Sequence, residues 1–308
     1  MSARVVDVGD GVSIRIDQVR GAADGPTVAL LGGVHGDELE GILAVRTLLD
    51  RIGGSRGAGG LGSGRVLAVQ VANPPAHDAM SRTSPLDGAN LARVFPGSPS
   101  GTVTERIADA LAHHVIARAD LLVDLHSAGA HYAMPFFAGY GDPAAADDTY
   151  AFGAPLVWVH EGLNPGRSLT TAAEHGVAAL YVEGSGGGGL RRSEVDGYVD
   201  GVLRLLGRRG MVDDPPPAGV VRRVVRGGDG DVDSSVSADV AGWCVTAVRA
   251  GDVVGAGDPV AEIVDGRGRV AQRVTAPHDG VVMMLRRSAP VVEGTGIVML
   301  GPVPEELP

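Results

Sequence analysis

Apolar residues along this chain fall into two textures. In the first two-thirds, short apolar runs alternate with longer segments of helical periodicity. Pro26–Leu31 (PTVALL) is entered through Gly25-Pro26 and reads as a buried strand, and Leu39–Ile52 (LEGILAVRTLLDRI) spaces its apolar residues as a helix does. Arg65–Ala72 (RVLAVQVA) predicts a second strand, Thr104–Arg118 a helix, and Asp120–Leu125 (DLLVDL) a third strand. Leu156–Val159 and Ala178–Val182 (AALYV) are further strands, and Val195–Leu206 is helical. Gly53–Gly64 (GGSRGAGGLGSG) reads as a flexible connection. This alternation predicts an α/β domain, residues 1–212, with a mostly parallel core sheet.

The second texture follows Asp213–Gly219 (DDPPPAG), where three consecutive prolines form a stiff linker. Beyond it, short valine-rich runs alternate with GD, GAGD, DGRG and HDG turns, and no helical pattern survives. Residues 220–308 are expected to form a small all-β domain.

Composition narrows the function classes. The 308 residues are 44% hydrophobic and carry a net charge of −11, with no basic patch, so nucleic acid is not an expected partner. No apolar run approaches the roughly 20 residues that a membrane helix requires, and Met1–Asp10 lacks the outline of a secretory signal. The default location is therefore cytoplasmic. The lone Cys244 forms no internal disulfide and reads as a small buried residue. All 26 basic residues are arginine, which excludes a Schiff-base lysine, a P-loop lysine and a lipoylated or biotinylated carrier.

The candidate chemistry lies where strands end. His35 and Glu38 occupy the turn after PTVALL, within LLGGVHGDELEG; His126 follows DLLVDL; Glu183 follows AALYV. Three strands thus deliver ionisable residues at their C-terminal ends, the edge where open α/β sheets bind ligands. Two histidines and a carboxylate form a catalytic zinc set with a position left for water. His35, Glu38 and His126 fit it, Glu183 is a further carboxylate able to take a proton, and Asp124, two residues before His126, is placed to orient that histidine. Gly32, Gly33 and Gly36 permit close backbone approach in the turn. Glu40 is expected on the exposed face of the first helix; His113 and His114, on a predicted helix with polar neighbours, read as solvated, and His77, His160, His175 and His278 show no partner pattern. The irregular segment Asn73–Gly97 holds Arg82, Asp87, Asn90 and Arg93, and reads either as a surface loop or as a substrate loop whose arginines grip a carboxylate and polarise a carbonyl.

Five stretches, GGVHGDELEG, NPPA, RTSPLDGANLARVFPG, DLLVDLHSAG and YVEGSG, occur in the order found in the succinylglutamate desuccinylase/aspartoacylase family, the amidohydrolase branch of the zinc carboxypeptidase clan, which the chain resembles from Thr27 to about Leu206. The resemblance implies a zinc-carboxypeptidase-like fold with a lipoyl-like barrel-sandwich at the C-terminus. It implies one zinc ion per chain held by His35, Glu38 and His126, Glu183 as general base, Arg82 polarising the scissile carbonyl, and Arg93 holding a substrate carboxylate. In one respect the chain departs: where the family usually has Asn-Arg, it has Ala92-Arg93, and Asn90 lies two positions away. A looser preference for a free substrate carboxylate is the expected result.

The expected function is a zinc-dependent deacylase acting on a small N-acyl amino acid or related amine. The alternatives are a zinc carboxypeptidase acting on peptides and an inactive binding module. Gly184–Gly189 (GSGGGG) lacks a lysine and P-loop spacing, and reads as a mobile site edge. The C-terminal region is expected to form a rim or lid, or an assembly surface, and a homo-oligomer is compatible with that.

Overall fold

A computed structural model describes residues 1–53, 60–228 and 230–307. The predicted glycine-rich connection is thus only partly covered, since residues 54–59 lie outside the described residues. The strands of the first two-thirds are β1 (Ser2–Gly9), β2 (Val12–Arg20), β3 (Ala23–Gly32), β4 (Ser63–Val69), β5 (Leu121–Ser127), β6 (Tyr132–Ala133), β7 (Phe137–Tyr140), β8 (Leu156–Val159) and β9 (Ala178–Gly184). The helices are α1 (Leu39–Gly53), α2 (Pro74–Asp78), α3 (Val103–His114), α4 (Ala146–Phe152), α5 (Ser168–Glu174) and α6 (Arg192–Arg208). After the prolines come β10 (Arg223–Arg226), β11 (Val236–Ser237), β12 (Gly242–Thr246), β13 (Val253–Val254), β14 (Pro259–Val264), β15 (Val270–Thr275), β16 (Gly280–Arg286), β17 (Pro290–Val291), β18 (Gly296–Gly301) and β19 (Glu305–Glu306).

One mixed sheet runs β1-β2-β4-β3-β5-β9-β7-β8-β10-β19. Its centre, β4-β3-β5-β9, is parallel. These strands read as near-continuous apolar runs because both faces are covered. Val28, Leu30, Leu121 and Val123 join a core with Leu48, Leu49, Val202 and Leu205 of α1 and α6. Ala29, Leu31 and Leu122 join a second core with Ile107 and Leu111 of α3 on the opposite face. Successive strand side chains alternate between the two.

The helix expected over Thr104–Arg118 is shorter. A capping box at Thr102 and Glu105 starts α3 at Val103, it ends at His114, and a 3-10 turn, Ile116–Arg118, carries the chain into β5. β5 and β9 each run two residues beyond their predicted ends, so His126 and Glu183 sit inside strands rather than after them.

After the proline stretch the chain first returns to the large sheet: β10 pairs in parallel with β8, and β19 pairs with β10 near the end of the chain. Between them lie two small antiparallel sheets, β11-β18-β16-β13 and β15-β14-β12-β17. Val260, Ile263, Val282, Leu285 and Val298 form their core, with Cys244 buried among them. β6 pairs with β16, a second tie between the two parts of the chain.

Candidate functional site

The parallel strands β3, β5 and β9 are neighbours, and their C-terminal ends bring the candidate residues together. The turn after β3 packs closely on α2, and the start of α1 on β5, because glycine permits it. A Cβ on Gly41 would stand 2.4 Å from the Leu125 carbonyl oxygen, and one on Gly36 would stand 2.0 Å from the Ala76 carbonyl carbon. His35 and Glu38 are thereby held over the end of β5.

His35, Glu38 and His126 are all buried, with ligand atoms within 4.8 Å of one another. Glu38 bridges the histidines: Oε1 is 2.7 Å from His35 Nδ1, and Oε2 is 2.9 Å from His126 Nδ1. The Ser127 backbone N–H donates to Glu38 Oε2 at 3.1 Å. The far nitrogens face acceptors as well. His35 Nε2 is 3.1 Å from Asn90 Oδ1, and His126 Nε2 is 3.2 Å from Asp124 Oδ1. With a proton on each Nε2, both Nδ1 lone pairs turn toward the Glu38 carboxylate. Three acceptors converging in a buried space call for a cation among them, and two imidazoles with one carboxylate are a suitable donor set for a transition-series dication. The cluster can hold a metal ion.

The electrostatics follow from burial and these contacts. Burial lowers the pKa of His35 against the pull of Glu38. Burial acts downward on His126 too, yet Asp124 and Glu38 raise it well above the ordinary histidine value. Glu38 would be raised by burial, but His35 and His126 hold it well below the usual carboxylate range. Glu183 is pushed up to about 8, first by burial and then by the Glu38 charge. Its Oε2 has no hydrogen-bond partner among the described residues. A half-buried carboxyl whose buried oxygen is unmatched is poised to exchange a proton.

Around this cluster lies a cleft of about 120 Å³ lined by His35, Arg82, Ala92, Arg93, His126 and Glu183, among others. Arg82 Nη1 stands 3.4 Å from Glu38 Oε1 at the mouth. The loop that carries it is structured: Asn73 caps α2, and Asp87 accepts from the N–H and hydroxyl of Thr104 at 2.8 Å each. Asn90 also caps the 3-10 turn Leu91–Arg93, accepting from Ala92 N–H at 3.0 Å. Its carbonyl oxygen is therefore directed at His35 and its own backbone. Arg93 has an internal carboxylate partner, Asp231, at 3.1 Å.

Two expectations are corrected. Glu40 is not on an exposed helix face: it is buried and accepts from Ser127 Oγ at 2.7 Å, because β5 presents Ser127 toward α1. His160 is not a bystander: it lines the cleft, its Nε2 2.6 Å from the Tyr181 hydroxyl. Arg167, Ser168, Tyr181 and Asp231 also belong to the site region; Ser168 Oγ donates to Asp124, and Arg167 pairs with Asp231 at 3.2 Å. The parity of β9 gives the one sequence signal for these residues, since Tyr181 precedes Glu183 by two and shares its face.

Gly184–Gly189 starts at the last residue of β9 and packs on the loop after β5, with Gly187 N–H donating to the Gly129 carbonyl at 2.8 Å. No helix among the described residues is long and apolar enough to cross a membrane.

Comparison with known proteins agrees with this geometry. The succinylglutamate desuccinylase/aspartoacylase catalytic domain matches residues 24–208. The N-alpha-acetyl-L-2,4-diaminobutyric acid deacetylase of Halomonas elongata is 34% identical over 307 residues, covering 92% of this chain and 84% of the relative. A succinylglutamate desuccinylase from Silicibacter sp. TM1040 superposes with a TM-score of 0.85 at 28% identity, covering 96% of this chain and 89% of that one. The product-bound ectoine utilization protein EutE (DoeB) from Ruegeria pomeroyi superposes with a TM-score of 0.82 at 28% identity, covering 95% and 89%. With its strand-end cluster and a matched catalytic domain spanning most of the α/β region, the chain belongs to the succinylglutamate desuccinylase/aspartoacylase family.

Proposed function

We propose that this protein is a zinc-dependent deacylase that hydrolyses the amide bond of a small N-acyl amino acid, with N-α-acetyl-2,4-diaminobutyrate as the first substrate to test. The observation that carries the reading is the buried convergence of His35, Glu38 and His126 beside a protonatable Glu183 in one cleft. The diaminobutyrate choice rests on the deacetylase relative. We assign residues 1–212 to catalysis, with β10 and β19 completing their large sheet, 213–219 to a linker, and the strands β11 to β18 between them to a lipoyl-like barrel-sandwich unit.

One zinc ion per chain would be held by His35, Glu38 and His126, and when bound it supplies Lewis acidity to the scissile carbonyl and to the attacking water. Asn90 and Asp124 hold the two histidines by their far nitrogens, so that Nδ1 of each faces Glu38. Glu183, with one oxygen unmatched, takes a proton from the attacking water and returns it to the leaving amine. Arg82, at the cleft mouth beside Glu38, is positioned for the negative charge that grows on the carbonyl oxygen. Arg93 serves the substrate carboxylate.

The test is amine release by zinc-loaded protein from N-α-acetyl-2,4-diaminobutyrate and related N-acyl amino acids, run beside unblocked dipeptides. Turnover of the acyl amino acids and not of the dipeptides is expected. Turnover confined to dipeptides would make the protein a carboxypeptidase, and no turnover of either would leave a binding module.

A further inference from the structure

We infer that Glu40 is a positioning residue: through the Ser127 hydroxyl it fixes the end of β5 against the start of α1, and so sets the spacing of the two segments that carry His35, Glu38 and His126. The inference rests on the reading of those three residues as a zinc site and deepens it.

The three side chains come from two distant parts of the chain. His35 and Glu38 lie in the turn that leads into α1, and His126 is the last residue but one of β5. A metal ion is held tightly only where such segments are kept in place before it binds, because each donor must stand at a defined distance from it. Every acid of Asp37-Glu38-Leu39-Glu40 turns to the chain that follows His126. Asp37 Oδ2 accepts from Ala130 N–H at 3.0 Å, Glu38 Oε2 from Ser127 N–H at 3.1 Å, and Glu40 Oε2 from Ser127 Oγ at 2.7 Å. The approach is close: a Cβ on Gly129 would stand 2.6 Å from Asp37 Oδ2.

Glu40 and Ser127 are 3% and 2% exposed, and neither lines the cleft. They therefore act on the site through its neighbours and not by touching substrate. The Glu40 carboxylate lies near the charges of Glu194 and Glu38, which disfavour it, while the Ser127 hydroxyl and its own backbone N–H stabilise it there. Ser127 Oγ is held on both sides: it gives its one proton to Glu40 and accepts from Gly129 N–H at 3.4 Å. The helix behind Glu40 is firmly seated, since Val45, Leu48 and Leu49 of α1 belong to the core under the sheet. Ser127 directly follows His126, so a fixed Ser127 carries the histidine with it.

The test is zinc affinity, measured by competition with a chelator, for wild type, Ser127→Ala, Ser127→Thr and Glu40→Ala, with thermal melts of the metal-free proteins beside it. Ser127→Ala removes one oxygen, changes no charge and leaves the Ser127 and Ala130 N–H donors in place. It is expected to weaken zinc binding by about tenfold or more, as loss of an outer partner of metal ligands does, and Ser127→Thr, which keeps the hydroxyl, should restore most of it. Glu40→Ala should weaken binding at least as much. The double variant should lose no more than Glu40→Ala alone, because the two residues act as one link. Wild-type zinc affinity in Ser127→Ala, even with a lowered melting temperature, would make the hydrogen bond merely structural and overturn the inference. A double-variant loss equal to the product of the two single losses would overturn it too. If Glu40→Ala does not fold, Ser127→Ala and Ser127→Thr decide the question alone. Wild type that binds no zinc would instead overturn the metal-site reading itself.

Discussion

His126 and Glu183 stand directly opposite each other in the parallel register of β5 and β9. Residues paired in this way point to the same face of a sheet, so the second candidate metal-binding histidine and the candidate base face the same cleft. The strand pairing itself places them, so replacing Glu183 by its amide should leave the framework intact. Glu183→Gln is expected to retain zinc while kcat falls roughly 10²-fold or more, the usual contribution of a positioned acid–base group. Near-normal turnover would move the base role elsewhere. Glu40 is a poor successor, since it is buried against Ser127.

The same substitution has a consequence for stability. Glu183 titrates near 8 in the folded chain, against 4.5 for the free side chain. The folded state therefore binds the proton more tightly than the unfolded one. Stability is unaffected below pH 4.5, declines as pH rises from 4.5 toward 8, and stays reduced above it. Metal-free Glu183→Gln should melt higher than metal-free wild type at pH 8 to 9, with the gap closing toward pH 5. Thermal melts of chelator-treated proteins across that range check it, and a gap that is constant with pH would contradict the titration.

For the metal, about one zinc per chain is expected by elemental analysis of replete protein, and His126→Ala should lose most of it. The contacts extend this outward. Asp124 reaches His126 Nε2 and also accepts from Ser168, so Asp124→Asn should reduce zinc affinity or activity by about 10- to 100-fold through misorientation of the imidazole. Zinc titration with a competing chelator measures it. Wild-type affinity in Asp124→Asn would mean that β5 alone orients the ring.

Much of the catalytic region is legible in the sequence because its central strands are buried on both faces and its main helices on one. PTVALL and DLLVDL declare themselves as apolar runs, and His35, Glu38 and His126 follow from where those runs end. The N-terminal ribbon is less legible. β1 is mostly exposed, and its pairing with β2 rests on backbone hydrogen bonds that leave little trace in composition. The environment of Arg93 is invisible for a different reason. Asp231 is 138 residues away in sequence, and only the return of β10 to the large sheet brings it near. His160 is similarly obscure, because its partner Tyr181 lies on β9, which is not adjacent to β8, the strand that His160 follows.

Arg82 invites a kinetic distinction. It lies at the cleft mouth with its side chain 42% exposed and Nη1 3.4 Å from Glu38. If it stabilises charge that develops during reaction, Arg82→Ala lowers kcat more than it raises KM. An effect confined to KM would recast it as a ground-state anchor for substrate.

Ala92 stands where the resemblance leads to an expected asparagine, and the structure makes that difference testable. Its side chain is buried and lines the cleft, between Asn90, which caps its N–H, and Arg93. Its carbonyl is already committed to Arg93 and Arg167. A substrate carboxylate arriving at the guanidiniums thus finds a methyl group where an amide would add a hydrogen bond. Such a bond to a charged group contributes roughly 1.5–3 kcal/mol, so its absence corresponds to about tenfold or more in preference for acid over amide. Ala92→Asn should therefore raise the ratio of kcat/KM for an N-acetyl amino acid over its matched carboxamide by about that factor. The substitution sits two residues from the Asn90 that orients His35, so zinc content must be measured alongside to separate recognition from metal loss. An unchanged ratio at full zinc occupancy would show that position 92 does not face the carboxylate, and that Arg93 and Arg167 hold it without help.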